Sequence, residues 1–336
     1  MTDSTLPPTL TLRGVSFQPA LFCAPMAGIT HSAFRRLLAD FGGYGALFTE
    51  MLSAKMIVHE NGRTSPWLKR RPHEGKVIYQ LLVTDTVDLP RIIDRLAPLN
   101  PDGLDLNSAC AAPTVRRQGG GADLFNDLPR FRAILQTMRR HFPGPLTVKI
   151  RIGDERSDWR DQLRERLRLL EDEGVDALTL HPRFAEESLN RPARHALYGE
   201  LITETRLPVI ANGDITGADF IRERSTPFAG AAGLMIGRMA AARPWIFAQW
   251  HDPAFQPDPA QVWNRLCNYI SEDFPPQQAL IRIKIITPYF ARNFVYGHTL
   301  FLAVQSAPDL PTALTRSNHF LETSPALFQD VSLSGI

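Results

Sequence analysis

The chain has 336 residues, 44% hydrophobic and 21% charged, the composition of a globular protein with a full core. A formal net charge of +2 gives no strong pull toward nucleic acid or membrane, and no run approaches the roughly 18 apolar residues of a membrane span. Three separated cysteines, Cys23, Cys110 and Cys267, exclude a disulfide framework and a zinc-ribbon pattern, and no metal site is expected.

Residues 1–18 are polar and carry prolines without a basic-then-apolar leader, so the expected location is the cytoplasm. Eight apolar runs follow, over 21–28, 46–52, 76–83, 103–109, 146–152, 177–183, 208–215 and 233–239. Most are continuous rather than alternating, as parallel strands buried on both faces require. Helical patterns separate them. Phe131, Leu135 and Met138 share one helix face over 129–142, and Leu163, Leu167 and Leu170 share another over 159–173, which Gly174 ends. Shorter helices are expected over 87–96 and 218–224, while 55–75 reads as an excursion. Eight strand–helix units predict a (β/α)8 TIM barrel, of which about 250 residues is the usual size. The absence of Gly-x-Gly-x-x-Gly after the first run weighs against a doubly wound dinucleotide-binding sheet. Residues 1–250 are expected to form the barrel. Residues 251–260, with Pro253, Pro257 and Pro259, read as a linker, and 258–336 as a small domain that is helical to its end.

Chemistry in this fold gathers at the C-terminal ends of the strands. The first run ends in Ala24-Pro25-Met26-Ala27-Gly28, small residues that let a flat ligand approach the backbone. The second ends in Thr49-Glu50-Met51, and the third carries Gln80, whose amide must find partners in a buried strand. The fourth, Asp105-Leu106-Asn107-Ser108-Ala109-Cys110, ends on a thiol, a candidate acid or nucleophile. Gly119, Gly120 and Gly121 follow it. Lys149 in the fifth is either a cation beside an electron-rich cofactor or a Schiff-base lysine. His181 closes the sixth and is expected in register with Lys149. Asn212, Gly213 and Asp214 close the seventh, and Gly237 and Arg238 the eighth, where this fold usually binds phosphate. Gln80, Lys149 and His181 would ring a polar heterocycle whose phosphate tail reaches the last two strands. Flavin mononucleotide has that shape.

The ordered set Ala24-Pro25-Met26-Ala27-Gly28, Thr49-Glu50-Met51, Asp105-Leu106-Asn107 with Cys110, Lys149-Ile150-Arg151, Ala211-Asn212-Gly213-Asp214 and Gly237-Arg238 resembles the tRNA-dihydrouridine synthases over residues 21–247. The resemblance implies an enzyme with tightly bound FMN, reduced by NADPH, that delivers hydride from flavin N5 to C6 of a tRNA uracil while Cys110 protonates C5. An ordinary thiol, with a pKa of about 8.5, is mostly protonated at neutral pH and can donate. By the same resemblance Asn107 holds the uracil edge, and Gln80, Lys149 and His181 contact the isoalloxazine. Asn212, Gly213, Asp214, Gly237 and Arg238 hold the ribityl phosphate, and Pro25, Met26 and Ala27 line the flavin. Residues 258–336 become a tRNA-binding helical domain of an enzyme expected to be a monomer.

The chain departs from the family's pattern at three places. Ser108-Ala109-Cys110-Ala111 replaces Met-Gly-Cys-Pro, Thr114-Val115-Arg116 stands where Lys-Val is usual, and His181-Pro182-Arg183-Phe184 replaces His-Gly-Arg-Thr ahead of an arginine-bearing loop. These changes bear on substrate choice, and Arg183 is a candidate substrate contact. Residues 251–336 carry five Lys/Arg against seven Asp/Glu, yet 274–308 has no acidic residue. There Arg282, Lys284 and Arg292 lie among aromatics, as RNA-binding surfaces arrange them. Further basic candidates are Arg63, Lys69-Arg70-Arg71 and Arg116-Arg117. Three other readings compete: an FMN barrel acting on a free pyrimidine, active without tRNA; a lyase using Lys149, trapped by borohydride; and a non-catalytic RNA-binding relative, indifferent to loss of Cys110.

Overall fold

The computed structural model describes residues 9–333 and 335. β1 (Leu10–Leu12) and β2 (Val15–Phe17) form an antiparallel hairpin. Next come β3 (Leu21–Cys23), β4 (Ala46–Phe48), β5 (Leu52–Ser53), β6 (Val77–Leu82) and β7 (Gly103–Ser108). β8 (Leu146–Arg151), β9 (Ala177–His181), β10 (Val209–Asn212) and β11 (Gly233–Ile236) complete the set. The parallel order β4-β3-β11-β10-β9-β8-β7-β6, with β4 paired back to β6, closes an eight-stranded barrel, and β5 extends one edge of β6. This is the expected (β/α)8 architecture.

Alternate residues of each strand face the lumen, and what they are changes with height. Near the strand starts the cluster is apolar: Phe22, Ala46, Phe48, Ile78, Ala177, Ile210 and Met235, capped by Leu10, Leu12 and Phe17 of the hairpin. Residues of opposite parity, among them Tyr79, Leu104, Leu106, Val148 and Ile150, pack outward with the helices in a second cluster. Both faces are therefore buried, which is why the runs read as continuously apolar.

Two expectations need correction. The run 46–52 is not one strand but β4 and β5 with Thr49-Glu50-Met51 between them. Their polar groups are taken up elsewhere: Thr49 Oγ1 accepts from the Gln80 amide at 3.0 Å, and Glu50 Oε2 from the Gly28 amide at 2.7 Å. Nor is the chain helical to its end. Helices Pro259–Asp273, Pro276–Phe290, Gly297–Gln305 and Leu310–Glu322 are followed by Ser324 at φ 51° and then Pro325, and a proline disfavours helix at the residue before it. The strand-like tail beyond pairs Leu327 with Phe294, and Arg243 donates to the Phe328 and Gln329 carbonyls at 3.0 and 2.6 Å.

Among the contacts that dock the C-terminal helices on the barrel is a carboxylate, Asp273. Asp273 ends its helix beside Lys69, Arg71 (2.7 Å) and the Ser32 hydroxyl, so two of the basic candidates are engaged in the fold itself. Burial would push the Asp273 carboxyl up, but hydrogen bonds from Arg71, Lys69 and Ser32 outweigh it and hold the group below the usual carboxylate range. The excursion at 55–75 is anchored by a fully buried pair. Arg35 Nε donates to Glu74 Oε2 at 2.8 Å, and the rest of its fork reaches the Thr30 and Lys69 carbonyls. Removing one partner strands a buried charge. Glu74→Ala is expected to lower the unfolding free energy in urea by about 3–5 kcal/mol, and Arg35→Met/Glu74→Leu by clearly less.

Candidate active site

The mouth of the barrel holds a cavity of about 560 Å³, within the usual range for a small-molecule or cofactor site. Pro25, Met26, Ala27, Gln80, Asn107, Cys110, Lys149, His181, Arg183, Asn212, Gly213, Asp214, Gly237 and Arg238 all line it. Of the expected site residues only three lie outside the lining. Arg282 lies beside Gly28, with its guanidinium over Phe274 and Trp67. Lys284 donates to the Ala307 carbonyl at 2.7 Å within the helical domain, and Arg292 sits by the C-terminal tail near Gly335.

The strand register explains the convergence and corrects one expectation. Gln80 pairs with Asp105 and Asn107 with Lys149, but Lys149 pairs with Thr179, and His181 with Arg151. His181 therefore stands one pleat repeat above Lys149 rather than beside it. The same-face relation survives because two residues restore the side-chain direction.

Cys110 is half-buried, in a loop held from two sides. Its amide and that of Ala109 donate to Asn107 Oδ1 at 3.0 and 3.2 Å, and its carbonyl accepts from the Ala122 amide at 2.9 Å. Gly121, at φ +58°, is needed there, since a Cβ would lie 2.4 Å from the Cys110 carbonyl oxygen. The glycine run thus backs the thiol loop, and the alanines flanking Cys110 are accommodated.

The electrostatics of the mouth are dominated by cations. Burial, and then the neighbouring Arg151, push Lys149 down to about 8. Burial and the charges of Lys149, Arg151 and Arg183 hold His181 well below its ordinary value, so the ring is neutral. Arg183 Nη1 lies 2.6 Å from His181 Nε2, and a guanidinium can only donate, which places the ring proton on Nδ1. Arg183 is 1% exposed and also holds Asp214 Oδ2 and the Leu189 and Arg191 carbonyls. Its guanidinium braces the cavity wall. Asp214 also accepts from Arg238 at 2.8 Å. Partial burial would push its carboxyl up, but the Arg183 and Ala193 hydrogen bonds, with the charge of Arg238, keep it low. Asp214 thus stands as a carboxylate between Arg183 and Arg238.

Parts of the lining were absent from the sequence-derived site. Arg151 lies two residues beyond Lys149 on the same face, a parity signal available from the strand alone. It donates to the Phe184, Ala185 and Glu187 carbonyls. Met51, the loop residues Asn190, Arg191 and Pro192, and Val331, Ser332 and Leu333 of the tail also line the cavity. Nothing local in the sequence marks the tail, because it arrives only after the helical domain has folded back.

A closed parallel barrel with a thiol, a lysine and a phosphate-compatible arginine at its C-terminal mouth defines an enzyme of the TIM-barrel class. The model of the Dihydrouridine synthase (Dus) family matches residues 22–281, and the chain belongs to that family. It is 33% identical over 237 residues to tRNA-dihydrouridine synthase B of Escherichia coli (strain K12), covering 68% of this chain and 70% of that protein. The corresponding protein of Salmonella typhimurium is 31% identical over 274 residues, 78% and 83% of the two chains. Among solved structures, the old yellow enzyme from Trypanosoma cruzi superposes with a TM-score of 0.54 at 11% identity, over 82% of this chain and 99% of that one. Morphinone reductase in complex with tetrahydroNAD gives 0.53 at 12% identity, over 76% and 92%. These structures share the fold.

Lys149 also makes the site's stability depend on pH. Its folded value of about 8 lies below its ordinary 10.5, so folding releases a proton between those limits and stability contributed at this position rises with pH across that window. In urea titrations at a series of pH values, native protein is expected to gain on Lys149→Met from pH 8 to 10.5. The gain is about 1.4 kcal/mol for each pH unit of displacement.

Proposed function

We propose that this dihydrouridine synthase reduces the C5–C6 double bond of uridine in tRNA, holding FMN in the barrel mouth and drawing its electrons from NADPH. The single observation that carries the reading is the convergence of Cys110, Asn107, Lys149 and the Asn212–Arg238 end on one cavity. The reaction balances as uridine plus NADPH plus a proton giving dihydrouridine plus NADP⁺.

The chain's residues fit a flavin mononucleotide. The backbone of Pro25, Met26 and Ala27 offers a surface of small groups, and Gly237 lies beside Ala24 and Met26. A Cβ at Gly213 would fall 2.8 Å from the His181 ring, so that turn fits closely against the histidine. Arg238 would hold the phosphate from a position fixed by Asp214. Lys149 would face the isoalloxazine and balance negative charge there, and Gln80 would meet its edge. Bound flavin supplies hydride transfer between the nicotinamide and the pyrimidine.

Every other role belongs to the protein. Asn107 would hold the uracil edge, and Cys110 gives its S–H proton to C5 as C6 gains hydride, then recovers a proton from solvent. Lys149 and Arg151 lie close enough for their charges to act on Cys110, so the sulfur left behind has cations beside it. The target base must leave its stack to reach this depth. Arg282, beside Gly28 and over the Phe274 and Trp67 rings, would meet the RNA backbone as the base enters. Lys284 and Arg292 would act farther out on the helical domain. Among the described residues no helix is long and apolar enough to cross a membrane.

Purified protein is expected to be yellow and to be bleached by NADPH. Cys110→Ala is expected to keep the flavin yet reduce tRNA uridines about 10²–10⁴-fold more slowly, read by mass spectrometry of tRNA lacking dihydrouridine before and after incubation. A colourless protein that cannot be loaded with FMN would contradict the reading. So would turnover of free uridine at the same rate as tRNA.

A further inference from the structure

We propose that Asp105 is a positioning residue that fixes the direction of a buried amide relay and, through it, the placement of Cys110. The inference rests on the proposed function only for what Cys110 does. Asp105 does not line the cavity, and its side chain is fully buried within the barrel. Its Oδ1 accepts from Thr147 Oγ1 at 2.6 Å and its Oδ2 from Gln80 Nε2 at 2.7 Å. Gln80 Oε1 accepts in turn from Asn107 Nδ2 at 2.8 Å, and Asn107 Oδ1 accepts from the Ala109 and Cys110 amides.

The two ends of this chain dictate its direction. An ionised carboxylate can only accept, and backbone amides can only donate. Between them the two side-chain amides have a single consistent orientation. Turning either one sets donor against donor or acceptor against acceptor at two joints between buried side chains. Without the carboxylate one end is released, only the Ala109 and Cys110 amides still hold Gln80 and Asn107 in this orientation, and the grip of Asn107 Oδ1 on the thiol loop loosens.

A carboxylate is costly to bury here: burial raises the Asp105 carboxyl to about 6, against the opposing hydrogen bonds of Thr147 and Gln80 and the charge of Lys149. A filler residue at this height would be apolar, as the layer beneath it is. The acid at this position is explained by the direction it imposes.

The test uses full-length FMN-loaded protein and tRNA transcribed without modification, comparing native protein, Asp105→Asn, Gln80→Met and the double variant. Three readouts are taken: flavin bleaching by NADPH, single-turnover uridine reduction, and the rate at which iodoacetamide alkylates Cys110. Asp105→Asn is expected to leave bleaching within about twofold, slow uridine reduction about 10- to 100-fold at unchanged KM for tRNA, and change Cys110 alkylation several-fold. Gln80→Met cuts the same relay and should reproduce the alkylation change, with no further change in the double variant. Native alkylation and uridine reduction in Asp105→Asn, or additive effects in the double variant, would overturn the assignment. If Asp105→Asn does not fold, unchanged alkylation in Gln80→Met overturns it alone. Failure of NADPH to bleach native protein would count against the proposed function, while Cys110 alkylation would still decide the relay.

Discussion

Closure of the eight-stranded barrel is the constraint from which the rest follows. Once β4 pairs back to β6, every strand must send alternate side chains into one narrow lumen, and no edge remains to adjust. The lower lumen is filled by aromatic and aliphatic groups and sealed by the β1–β2 hairpin. The upper lumen receives residues of the same parity that are polar: Gln80, Asn107, Lys149, His181 and Asn212. Site and core are two heights of one column, so the rigidity of the lower half sets the geometry of the upper.

Charge in that upper layer is arranged in depth. Lys149, Arg151, Arg183 and Arg238 crowd the mouth, and their combined field, with burial, keeps His181 neutral. Asp214 joins Arg183 to Arg238, so a group that would repel an anion instead aims one that attracts it. Below the lining, Asp105 is fully buried, with its oxygens engaged by Thr147 and Gln80. The result is an electropositive cup with directed donors, suited to an anionic, carbonyl-rich ligand.

The C-terminal helices complete the mouth without entering the lumen core. Asp273 clamps them to Lys69, Arg71 and Ser32, Arg36 lies 3.6 Å over the Tyr269 ring, and Asn293 donates to the Ala242 carbonyl at 2.7 Å. From this base the tail, tethered by Arg243, brings Val331 and Leu333 to the cavity rim. Of the basic residues at 69–71, Lys69 and Arg71 hold Asp273, while Arg70 pairs with Asp102 within the barrel at 2.7 Å.

The sequence by itself determined the barrel, because doubly buried strands and amphipathic helices leave an alternating record that needs no tertiary knowledge. It also determined which residues meet at the mouth, since strand parity and position at strand ends are local properties. It did not determine the break between β4 and β5, which depends on Glu50 finding the Gly28 amide, nor the offset of His181 from Lys149, which depends on the stagger of a closed sheet. The engagement of Arg183 with Asp214, the direction of the amides above Asp105 and the arrival of residues 331–333 were likewise decided only in three dimensions. Each joins groups far apart in the chain, and hydrogen-bond direction and charge pairing between such groups leave no periodic trace in a sequence.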